Sequence, residues 1–146
     1  MATGWGKRVQ KEMQNNQMGK TPDTTPAGIV WISLHTADPS DDGQTANEAT
    51  GVGYARVSMV AADWNAATDA QPTVTDNLNA ATFPTAGGDW SSAANMTHFG
   101  IWNDATGTAE ADYVGRGLLT TAAPVLNGQT PNFPAGALRM RGTETP

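Results

Sequence analysis

Cysteine is absent from the 146 residues, which removes disulfides, thiolate chemistry and zinc–sulfur centres together. Charge is scarce too. Asp, Glu, Lys and Arg make up 15% of the chain, against about 25% in ordinary globular domains. No apolar run approaches the ~20 residues of a membrane span; the longest, Ile29 to Leu34, is interrupted by Ser33. The N-terminal residues lack the apolar stretch of a signal peptide. No nucleophile elbow, phosphate loop or HExxH pattern occurs. Neither catalysis nor a cofactor is expected.

Ala, Thr, Gly, Asn and Ser fill the space that charge leaves. The length suits one domain with a single core. The net charge of −6 is unevenly spread. Residues 1–20 carry Lys7, Arg8, Lys11 and Lys20 against Glu12, while the rest sets Arg56, Arg116, Arg139 and Arg141 against the remaining acids. Such a body repels nucleic acid, so the basic arm is expected to meet an acidic protein surface instead.

Two parts follow: residues 1–27 as an N-terminal basic arm and linker, and residues 28–146 as a β domain. In the arm, Trp5, Val9 and Met13 recur at helical spacing, flanked by Lys7 and Lys11, with Arg8 able to meet Glu12 one turn on. Gly19 stands where a C-cap glycine belongs. A helix of about 14 residues is marginal alone, so its apolar stripe docks either on its own domain or on a neighbouring subunit. Trp5, Lys7, Arg8, Val9, Lys11 and Met13 are the candidate partner-binding residues. Thr21 to Pro26 reads as a stiff extended spacer.

From Gly28 onward the signals are β. Ile29–Leu34 is a strand buried on both sides, Asp38–Gly53 a long polar loop, and Tyr54–Val60 alternates with Val57 and Met59 on one face and Arg56 and Ser58 on the other. Residues 65–82 are polar, and Phe83-Pro84 enters a strand or corner. Thr97–Trp102 is a strand, 103–108 a turn, and Tyr113–Thr121 the partner strand. Val125 starts one more, and Ala137–Arg141 alternates Leu138/Met140 inward with Arg139/Arg141 outward. These short strands argue an all-β single domain, a β-sandwich or jelly roll with a short N-terminal helical arm. Trp31, Leu34, Val57, Phe99 and Ile101 are its expected core.

Three features bear on chemistry. His35 and His98 sit inside β motifs and are expected to be structural, bonded to backbone; Ser33 near His35 has no third orienting group. Asp38-Pro-Ser40-Asp-Asp42-Gly43 nearly spells a calcium loop, but the closing acid falls at Glu48, one place early, so no metal is expected and the acids read as turn caps. Trp31, Trp64, Trp90 and Trp102 with Tyr54 are either core or a sugar-stacking platform. The second option founds the alternative of a carbohydrate-binding module for host-surface glycans.

In order, Trp31-Ile-Ser-Leu-His-Thr-Ala-Asp-Pro39, Ala46-Asn-Glu48, Gly51-Val-Gly-Tyr-Ala-Arg56, Phe83-Pro84, Thr97-His-Phe-Gly-Ile-Trp102 and Phe133-Pro-Ala-Gly-Ala-Leu138 span residues 29–138. This series resembles a family of small tailed-phage virion proteins of the tail-fibre-like type. The resemblance implies a structural component of the virion, either a tail-fibre-like accessory or a capsid decoration protein. It also implies association with other virion proteins and a homo-oligomer, a trimer on the resemblance alone. With neither heptads nor repeats the chain forms no long shaft by itself.

Overall fold

The computed structural model describes residues 4–20, 28–70 and 72–142. The spacer read at 21–26 lies outside them. In chain order the elements are β1 (Gly4–Trp5), α1 (Lys7–Gln17), β2 (Ile29–His35), β3 (Val57–Val60), β4 (Thr73–Asp76), β5 (Ala81–Thr82), β6 (Asn95–Trp102), β7 (Tyr113–Pro124), β8 (Asn132–Phe133) and β9 (Arg139–Gly142). Five strands form an antiparallel sheet in the order β1-β7-β6-β2-β3, while β4 pairs with β9 and β5 with β8 as separate ribbons. The protein is all-β with a short N-terminal helix, and the second layer is two ribbons where a jelly roll would have a full sheet.

Register decides which side chains meet. Ile32 lies opposite Ile101 and Leu34 opposite Phe99, and Phe99 in turn lies opposite Gly117. Alternation puts these residues on one face, where the Phe99 ring lies across Gly117, so that a Cβ there would strike it. Phe133 of β8 meets Phe99 edge-on at 5.8 Å, and Met140 of β9 reaches over Gly115. Leu34, Met59, Phe83, Trp90, Phe99, Ile101, Leu138 and Met140 form the buried core between sheet and ribbons.

The opposite face is interior as well. Ser33, His35 and Trp102 point that way and are fully buried. The 36–56 loop and Tyr113 supply their cover: Glu48 bridges to His35, Arg56 stacks over Trp102, and the Tyr113 ring lies 4.8 Å from it. Gly100 makes the room: a Cβ there would lie 2.6 Å from Ser33 Oγ, 2.9 Å from Trp102 Nε1 and 3.0 Å from His35 Nε2. Gly100→Ala is therefore expected to destabilise by about 1–3 kcal/mol through overpacking, read as a lowered melting temperature.

Several sequence expectations need correction. Trp31 is only half buried and faces away from Leu34, since residues three apart on a strand lie on opposite faces. No strand begins at Val125, which is buried in the connection after β7. The polar stretch 65–82 holds β4 and β5. The helix has 11 residues, shorter than the stripe suggested because Trp5 is in β1. It ends at Gly19, whose φ of 69° permits the closing bonds Gly19 N–H to Asn16 O and Lys20 N–H to Asn15 O.

Candidate functional site

The arm begins as part of the body. Trp5 pairs with Gly115 and Gly4 with Arg116 across β1–β7, and the Gly6 N–H donates to Val114 O at 2.8 Å. Arg8 is buried against the same strand. Its Nε and Nη2 donate to Tyr113 O at 3.2 and 3.0 Å, while Nη1 pairs with Glu12 at 2.7 Å. Lys7 pairs with Asp42 and, at 3.2 Å, with Glu110. Of the two dockings the apolar stripe allows, the first turn takes the intramolecular one. Val9 is half buried. Exposure rises outward, to 50% at Met13 and 76% at Met18. Lys11 is exposed on the same helix.

On the face of the sheet that the 36–56 loop covers lies a buried polar network. Trp102 Nε1 donates to Ser33 Oγ at 2.8 Å, and Ser33 Oγ lies 2.7 Å from His35 Nε2. The partners of the two histidines are hydroxyls, not backbone; His98 Nδ1 meets Thr97 Oγ1 at 2.8 Å. Burial pushes the His35 pKa down to about 4, and no acceptor among the described residues meets its Nδ1. Ser33 and His35 are both sealed from solvent, so this hydroxyl–imidazole pair reaches no substrate in this fold.

Next to it, Arg56 is clamped by Glu48. Nε and Nη2 reach the two carboxylate oxygens at 2.8 and 2.7 Å, Nη1 donates to Asp104 O at 3.0 Å, and the guanidinium stacks 4.0 Å over the Trp102 ring. Tyr54 Oη donates to Glu48 Oε1 at 2.9 Å and accepts the Leu34 N–H at 3.3 Å. Burial raises the Tyr54 pKa. Together these groups staple the long loop to the sheet. Arg56, which alternation alone would leave in solvent, is an interior residue.

The acids of the calcium-like loop are engaged elsewhere. Asp38 and Asp41 pair with Arg116, Asp42 pairs with Lys7, and Asp38 Oδ1 accepts the Ser40 N–H at 2.8 Å. The aromatic platform does not assemble either. Trp90 and Trp102 are fully buried, leaving Trp31 and Trp64 half buried. Trp31 does line a small cleft with Glu48, Tyr54 and Arg56, but those polar groups are bonded to one another.

Sequence reasoning missed the outer half of β7. Among the described residues only β1 pairs with the outer edge of this strand, at Gly115 and Arg116, so 117–124 form an open edge. Between Met96 and His98 the partner position on β7 passes from Ala123 to Leu118, a bulge. Inside the bend runs an open groove of about 640 Å³ with Leu34, Met96 and Phe99 among its lining residues and Leu119, Val125 and Phe133 along its walls. A signal was available: no charged residue occurs from Gly117 to Leu138.

Residues 4–141 match the family described as podophage GP4 fiber I protein gp80. The chain belongs to this family. The match runs from β1 into β9, taking in the helix, the five-stranded sheet and both ribbons. No curated protein matches the chain. As a member of a podophage fibre family it is a virion structural protein of fibre type, located in the virion and associated with other virion proteins.

Proposed function

We propose that this fibre-family protein is a non-catalytic subunit held on the particle by the outer half of its helical arm. The fibre family favours this accessory role over a capsid knob. The observation that carries the reading is the division of α1. Its first turn is fixed to the body through β1 and the Arg8–Tyr113 carbonyl bonds, while Met13 and Met18 stay exposed at its outer end. A helix presented rigidly with apolar side chains at its free end suits docking into a groove of a neighbouring protein. The partner is a virion protein with an apolar groove that takes these side chains.

The two halves of the arm give opposite experimental signatures. Trp5→Ala is expected to lower the melting temperature, since it removes a side chain packed against the core; burying a large apolar side chain contributes about 1.5–3 kcal/mol. Met13→Glu with Met18→Glu is expected to leave melting unchanged and to deplete the protein from assembled particles, seen as lost density by electron microscopy. Full occupancy with the double variant rejects attachment through the arm.

A further inference from the structure

We propose that the open edge of β7, with the groove beside it, is where a second copy of this chain docks, each copy presenting the same surface to the other. This goes beyond attachment of the protein to the particle through its arm.

Three observations meet there. The first is the free edge: β6 takes the inner edge of residues 117–124, while among the described residues no strand pairs with their outer edge, β1 reaching only Gly115 and Arg116, and exposed backbone donors and acceptors in extended geometry are a template for another strand. The second is apolar surface. Leu118 and Leu126 are 41% and 40% exposed, and Leu118 belongs to the lining of the groove. The third is charge, and it chooses the occupant. A chain with net charge −6 repels its own copy over most of its surface, whereas the Gly117–Leu138 segment is uncharged. In an isologous contact each residue of a patch faces the same patch of the partner. Any charge there would meet its like, so a neutral patch on an acidic protein suits self-pairing. An edge that only had to stay soluble would carry lysine or another charge, and this edge has none. Antiparallel pairing about a two-fold axis lets the edges hydrogen-bond while Leu118 of each copy covers apolar surface of the other.

The test is sedimentation equilibrium of the purified full chain. The expected result is a monomer–dimer equilibrium that strengthens, or stays level, as salt is raised, because salt screens the general repulsion and the contact holds no ion pair to weaken. Thr120→Lys with Ala122→Lys, both at exposed positions, is expected to raise the dimer dissociation constant at least about tenfold with melting unchanged. Leu118→Lys serves as a second variant should the first fold poorly. Met13→Glu with Met18→Glu is expected to leave the dimer intact, which separates this contact from attachment to the particle. A monomer at all concentrations, a trimer, or a dimer indifferent to the β7 variants overturns the proposal.

Discussion

Glu48→Ala is expected to lower stability by about 3–5 kcal/mol, the range for removing one partner of a buried ion pair. The Arg56 guanidinium stays between the Trp102 ring and the loop, with its side chain 4% exposed, and it cannot shed its proton. Tyr54 Oη loses its acceptor at the same time. Because both partners hold the 36–56 loop against the sheet, the damage extends to the cover over Ser33, His35 and Trp102. Equilibrium denaturation in urea measures the loss. Glu48→Gln separates the contributions: its amide oxygen still accepts one bond, so it should fall between wild type and Glu48→Ala. A Glu48→Ala protein as stable as wild type would mean that the clamp is ornamental and that the loop is held elsewhere.

Acid is expected to destabilise the protein through His35. The unfolded imidazole titrates near 6.5, whereas burial holds the native one to about 4. Between those values the unfolded chain binds a proton that the native state refuses, so stability falls as pH drops through the window and levels off below it. The size follows from about 1.4 kcal/mol per pKa unit, which gives on the order of 3 kcal/mol lost by pH 4. Carboxylates titrate in the lower part of the same range, so the informative quantity is the difference between wild type and His35→Asn. The variant should be less stable at neutral pH and show a shallower slope between pH 6.5 and 4. Parallel slopes would show that the ring is protonated in the native state.

The parts of this fold that depend on local pattern were legible in the sequence. Ile29–Leu34 and Thr97–Trp102 are apolar runs ended by turn residues, and they became the paired centre of the sheet, β2 and β6. Leu138 and Met140 were correctly turned inward by alternation. The helix ended at Gly19 because a positive φ after the last turn is glycine's usual place. What the pattern could not show was cover supplied from far along the chain. Arg56 lies on the face that alternation assigns to solvent, and it became interior because Glu48 clamps it over the Trp102 ring. Trp5 failed for a different reason. Its spacing from Val9 and Met13 is helical, yet β1 of two residues pairs with Arg116 and Gly115, more than a hundred positions away. The open edge of β7 escaped because an edge is defined by the neighbour it lacks, which periodicity does not encode.

The way β1 is joined to the sheet sets where the molecule would yield under load. The root of the helix is held by β1 and Arg8 on β7, by Trp5 against the core, and by Lys7 on Asp41, Asp42 and Glu110. These links form a short seam, whereas β6 and β7 are zipped along most of their length. Tension on the arm would peel that seam first and stop at the flank of the sheet. The helix root would then give way before the paired centre of the sheet is disturbed.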